Sequence, residues 1–224
     1  MFSVIYLVLL LIILTFVPHA WVQWQLRRFN REDCLQGSGL QLVEHLIQRF
    51  NLEEVRVEMS PAGDHYDPVR KTVVLNERWG HRATLTSVAI AAHEFSHAMQ
   101  HHLGESGFIL HSRVAQWTQW IGHCSQILSL GILSMTWLPG MFHALLAVVM
   151  VTAVVTLVLH LSVLPIEWDA SFNKALPLLK SGGYLPEHHL RKARWILAAA
   201  ALTYVAGAIL SVLNLRLLML WIRR

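Results

Sequence analysis

Ala91-Ala92-His93-Glu94-Phe95-Ser96-His97-Ala98-Met99-Gln100 places two histidines four residues apart, with a glutamate directly after the first. The pattern, HExxH, has a mechanical meaning if the stretch is helical. At about 100° per residue, His93 and His97 fall roughly 40° apart on one face and ~6 Å apart along the axis. Two imidazole nitrogens can then converge on one Zn2+ at about 2.0–2.1 Å. Glu94 projects beside them, placed to accept a proton from zinc-bound water rather than to ligate. A chance pentapeptide on a polar helix face would carry the same letters. Ala91, Ala92 and Ala98 argue against that, because small residues suit a helix packed deep inside a domain. Burying His93, Glu94 and His97 there without a partner would be costly.

The residues around this helix, 25–116, read as a small α+β domain. Leu42, Val43, Leu46, Ile47 and Phe50 recur at helical spacing between Ser38 and Phe50. Val55, Val57 and Met59 alternate with Arg56 and Glu58, as in a half-buried strand. Ser60-Pro61-Ala62-Gly63-Asp64 is turn chemistry, and Thr72–Leu75 reads as a second short strand. The HExxH helix is predicted to begin after Thr84 or Thr86 and to continue through His101.

Outside that domain the chain is too apolar for a soluble protein. Of 224 residues 54% are hydrophobic and only 14% charged, where soluble domains carry about 25% charged. The apolar residues gather into four runs: Phe2–Val17, Ile121–Leu138, Met141–Leu164 and Trp195–Ile222. Each approaches the ~20 residues that a helix needs to cross the hydrocarbon core. The first lacks a basic leading segment and a good cleavage pattern, so it reads as an uncleaved anchor rather than a signal peptide. Arg27, Arg28 and Arg31 then mark its cytoplasmic flank. The expected organisation is an anchor at 1–24, the domain at 25–116, a transmembrane hairpin at 117–164, a membrane-side segment at 165–194 and a fourth transmembrane helix at 195–224. The hairpin has a consequence for chemistry, because it returns residues 165–175 to the face that carries residues 93–101. Histidines within the spans, His123, His143 and His160, read as helix–helix hydrogen-bonding groups.

Charge and cysteine exclude other classes. The formal charge is +4, but the domain is nearly balanced and the surplus lies in Lys174, Lys180, Arg191, Lys192, Arg194, Arg216, Arg223 and Arg224, next to spans. Such residues set orientation, so no nucleic-acid partner is expected. Cys34 and Cys124 have no CxxC spacing, which excludes a disulfide framework or a cysteine zinc site.

A third zinc ligand must come from elsewhere. In a continuous helix His101 lies about 12 Å along the axis from His93, too far to share one ion. The metzincin pattern solves this with a glycine break after the second histidine, and Ala98-Met99-Gln100 supplies none. Glu167, just after the returning span and Pro165, is the expected ligand. An ordinary interfacial pair of Glu167 and Asp169, bridging Lys174, is the competing reading.

Four stretches carry a family likeness. Asp64-His65-Tyr66-Asp67-Pro68, then Ala91–Gln100, then Leu164-Pro165-Ile166-Glu167-Trp168-Asp169-Ala170-Ser171, then Ala200-Ala201-Leu202-Thr203-Tyr204-Val205-Ala206 closely resemble the YugP-type family of neutral zinc metallopeptidases of bacterial membranes. The likeness runs in order over nearly the whole chain. It departs at Ser96, where members more often show glycine. More distantly the chain is similar to HtpX-type membrane peptidases, whose third ligand is a glutamate followed four residues later by an acidic residue. Here Ser171 holds that place, and Asp169 stands two residues after Glu167. Either could support His93 or His97 from behind.

The expected protein is therefore mainly α and membrane-embedded, with four transmembrane helices and a small zincin-like α+β domain carrying the HExxH helix. Its expected activity is that of a gluzincin-like metalloendopeptidase with one Zn2+ per chain held by His93, His97 and Glu167. Glu94 serves as general base, and either short strand offers an edge for an extended substrate. His65 or Tyr66 would steady the oxyanion or anchor their own turn. The expected partners are a protein or peptide substrate and the lipid bilayer, with room for a homo-oligomer or larger membrane assembly. The expected setting is a bacterial cytoplasmic membrane, crossed several times, with the active site on the cytoplasmic side. The alternative is a zinc-stabilised membrane scaffold that binds partners without hydrolysis.

Overall fold

The computed structural model describes residues 17, 20–30, 36–110, 112 and 141–222. The expected span Ile121–Leu138, the expected anchor Phe2–Val17 apart from its last residue, and both cysteines lie outside those residues. The chain divides into two compact units. One comprises Pro18–Ile109 and Pro165–Thr203, and the other Met1–Val17, Leu110–Leu164 and Tyr204–Arg224.

In the first unit, helix α1 (Gly39–Arg49) opens with a reciprocal cap. Ser38 Oγ accepts from the Gln41 amide, and Gln41 Oε1 accepts from the Ser38 amide, which satisfies two donors that a helix start leaves open. Its apolar stripe, Leu42, Val43 and Leu46, is buried. Strands β1 (Arg56–Ser60), β2 (His65–Asp67) and β3 (Thr72–Asn76) form a sheet in the order β1-β3-β2. β1 runs parallel to β3 and β2 antiparallel to it. β3, expected over Thr72–Leu75 as a possible edge, is instead the central strand, buried throughout and paired on both sides. The edges are β1 and β2. Sequence pattern missed β2, because three residues of His, Tyr and Asp show no apolar alternation. Asp64 ties its start to the end of β3, with Oδ1 accepting from the Asn76 amide at 2.8 Å and Trp79 Nε1 at 3.1 Å.

Helix α2 (Leu85–His102) carries the HExxH residues and is capped by Thr84. It is buried on nearly every face, from Leu85 to Gln100, because its alanines let neighbours approach from all sides. Gly39 makes one of those approaches. Its amide donates to Ser87 Oγ at 3.0 Å, and a Cβ there would stand 2.5 Å from that oxygen and 2.7 Å from the Ser87 carbonyl oxygen. Residues 20–29, also helical, are tied to the start of α2 by Thr86 Oγ1 donating to the Leu26 carbonyl and Thr84 Oγ1 to Asn30 Oδ1.

Helix α3 (Met141–Trp168) contains the third expected span and runs four residues beyond it. Pro165 sits inside the helix, where it removes one backbone donor. The chain then widens into a π-helical segment, Asp169–Ala175, before α4 (Leu176–Ser181). Helix α5 (Glu187–Ile222) contains the fourth expected span and begins eight residues earlier. Among the described residues, one helical stretch, Met150–Ser181, is long and apolar enough to cross a membrane. His160 Nδ1 donates to the Thr156 carbonyl of its own helix at 2.7 Å.

The tight seat of Gly39 generates a test. Gly39→Ala should lower stability by about 1–3 kcal/mol, as overpacking does, while Gly37→Ala, whose Cβ would meet only Gln41 Oε1 at 3.4 Å, should leave it unchanged. Denaturant unfolding of the two variants reads the difference.

Candidate metal centre

His93 and His97 extend from one face of α2, and Glu167 comes from the last turn of α3. All three are buried, at 6%, 7% and 6% exposure. His93 Nε2 lies 3.2 Å from His97 Nε2 and 3.2 Å from Glu167 Oε2, and His97 Nε2 lies 3.7 Å from Glu167 Oε1. One donor atom from each falls within 4.8 Å of the others, close enough for a single metal ion. His101 is not among them. Its Nδ1 meets the Tyr66 hydroxyl at 2.9 Å, and its ring packs on Phe108.

The outer nitrogens of the two imidazoles decide what faces inward. His97 Nδ1 lies 2.9 Å from Gln100 Oε1. That amide is oriented from behind, since Gln100 Nε2 donates to Asp169 Oδ2 at 2.9 Å and to the Ile166 carbonyl at 3.3 Å. The oxygen of Gln100 therefore faces His97, Nδ1 carries the proton, and Nε2 presents a lone pair. Ser171 Oγ lies 3.1 Å from His93 Nδ1 and can accept its proton in the same way. Two bare nitrogens and a carboxylate, all buried and facing one another, repel unless a cation sits between them. Tetrahedral zinc with bonds of about 2.0–2.2 Å spaces its donors about 3.3–3.5 Å apart. The donor set fits zinc in chemistry and in spacing.

Burial, foremost, raises the Glu94 carboxyl above its ordinary range, against the pull of His93 and His97, which makes it a stronger base. Burial also opposes charge on His97, but the Glu167 carboxylate outweighs it and the imidazole is pushed up to about 9. In the metal-free protein a proton thus takes the place of a metal. Ser96, the departure from the family pattern, donates to the Ala92 carbonyl one turn back, a bond that satisfies a buried hydroxyl within the helix.

Among the other expected residues, Asp169 lies behind Gln100 and is not joined to Glu167 through Lys174. It receives Gln100 and also pairs with Lys174, which reaches Glu105 at 2.9 Å. His65 is exposed on β2. Tyr66 is buried, its ring against His101 and Phe108 and its hydroxyl on His101. Sequence reasoning missed Gln100 and Phe108. Gln100 could have been found, since it follows His97 by three residues on the same helical face. Phe108, whose ring centroid lies 5.8 Å from that of His97, carried no such signal.

Residues 4–223 match the family described as "Putative neutral zinc metallopeptidase". The chain belongs to that family. It is 27% identical over 203 residues, 87% of its length and 87% of the relative's, to the protein named "Putative membrane protease YugP" of Bacillus subtilis (strain 168). No solved structure matches it.

Two tests follow from the geometry. Glu167→Ala should abolish stoichiometric zinc, and Gln100→Leu should weaken zinc binding about 10–100-fold, as loss of a supporting hydrogen bond does. His101→Ala should leave zinc binding nearly intact; metal analysis and chelator competition measure all three. Because zinc must displace the His97 proton, its apparent affinity should rise with pH, about tenfold per unit, and level off above pH 9. In the metal-free protein the sign is opposite. Stability from the raised His97 is full below its ordinary value near 6.5 and is lost as pH rises through about 9, which unfolding across that window would register.

Proposed function

We propose that this protein is a zinc-dependent membrane endopeptidase that hydrolyses peptide bonds of membrane or membrane-proximal proteins. One observation carries the reading: Glu94 lies buried in the same helical turn as two histidines whose Nε2 atoms face the Glu167 carboxylate. His93, His97 and Glu167 would hold the ion. Zinc bound there supplies Lewis acidity that polarises a carbonyl and acidifies water. Glu94 takes the proton of the attacking water and returns it to the leaving amine. Asp169, through Gln100, and Ser171 keep the imidazoles in register. β2, an edge strand packed on α2, can pair with an extended substrate. A zinc-stabilised scaffold would have no use for a buried base at that position.

The reading includes four membrane spans and a catalytic side facing the cytoplasm, in keeping with Arg27, Arg28 and Arg31 beside the first apolar run.

Glu94→Gln should keep about one zinc per chain and lose all but a few per cent of activity, because the amide preserves shape but accepts no proton. Cleavage of an unfolded membrane-anchored reporter, with and without a chelator, tests this; full activity in the variant would remove Glu94 from the mechanism. Single cysteines placed at Gly63 and Gly182 should label from the same side of the membrane, the cytoplasmic one. Labelling from opposite sides would exclude the hairpin between them.

A further inference from the structure

Charge marks where the apolar stretches of this chain stop. From Met141 through Ile166 there is no Asp, Glu, Lys or Arg, and the first to follow is Glu167. From Trp195 through Leu215 there is again none, and the last before it is Arg194. These two borders are joined through Phe172. Its ring centroid lies 4.4 Å from that of Trp168, and the Arg194 guanidinium carbon lies 5.8 Å from its centre. Trp168 and Trp195 are 53% and 55% exposed, and Arg191 and Lys192 are exposed in the turn before. Glu167, next to Trp168 in the chain, turns inward to His93 and His97.

Indole rings and basic side chains at the ends of apolar helices settle in the headgroup layer, where one part of each group is apolar and the other wet. The carboxylate of the metal centre is thus the first charge after the charge-free stretch Met141–Ile166 of α3, one residue from a ring suited to that layer. We propose that the His93–His97–Glu167 centre works at the level of the lipid headgroups, and that its substrates are membrane-anchored chains cut within the few residues where they leave the bilayer. The substrate class rests on the peptidase reading; the depth does not. The headgroup layer is about 5–7 Å thick on each side and an extended chain rises about 3.3 Å per residue, so the bonds within reach lie within about two residues of the substrate's span.

Two measurements test this on the full chain in vesicles of phosphatidylethanolamine and phosphatidylglycerol. In a Cys34→Ser, Cys124→Ser background, Trp168→Cys and Trp195→Cys are labelled separately with a fluorophore and exposed to lipids carrying a quencher at the headgroup or at the chain centre. Quenching should be strongest from the headgroup label at both positions. Strongest quenching from the chain centre, or response only to a water-soluble quencher, as if a partner protein or open water met those rings, overturns the proposal. The second measurement uses a reporter whose unfolded cleavable segment follows its membrane helix directly, or after a stiff spacer of about ten prolines, ~31 Å long. The spacer should slow cleavage at least tenfold. Equal rates overturn the proposal and leave the peptidase reading standing. No cleavage of either reporter by zinc-loaded protein overturns the peptidase reading and the substrate class with it, and the quenching result then decides the depth alone.

Discussion

Three buried electron-rich groups that face one another are the constraint on which this structure rests. The Nε2 atoms of His93 and His97 and the carboxylate of Glu167 are buried and within 3.7 Å of one another. Such a grouping is stable only around positive charge. A proton on His97, whose imidazole is pushed up to about 9 beside Glu167, supplies it, and a metal ion bound there would do the same. Everything attached to these residues serves to keep the lone pairs pointing inward. Gln100 holds one imidazole, Ser171 the other, and Asp169 with the Ile166 carbonyl fixes Gln100 so that it can act only as an acceptor toward His97.

The elements around the centre can be read as means to that end. α2 is lined with alanine, so α1, the sheet and the π-helical segment can all approach it. The widened turn after Pro165 brings Asp169 and Ser171 both onto α2, where one meets Gln100 and the other His93. π-helical turns recur at functional sites because they redirect side chains without ending a helix. Lys174, pairing with Asp169 and Glu105, neutralises the carboxylate that orients Gln100, so that the support does not itself bring uncompensated charge.

Much of this was legible in the sequence where one residue type does one job. Ser38 with Gln41 and Thr84 announce helix starts, and the spacing of His93 and His97 announces convergence on an ion. Glu167 could be reached by geometry, because a continuous helix excludes His101. What was not legible depends on partners distant in the chain. β2 has no apolar alternation and exists because β3 offers it an edge. Thr72–Asn76 looked like any short strand, and only pairing on both sides reveals it as central. Gln100 is an ordinary helix residue until Asp169, sixty-nine positions later, turns its amide. The π-helical segment has no compositional sign at all.

The separation of Glu167 from His97 along the chain bears on biosynthesis. A nascent chain that has emerged as far as Leu164 already carries two donors and the base, yet lacks the third donor and both of the groups, Asp169 and Ser171, that hold the imidazoles in place. The donor set is therefore complete only after residues 110–164 have been made and the chain has come back to α2.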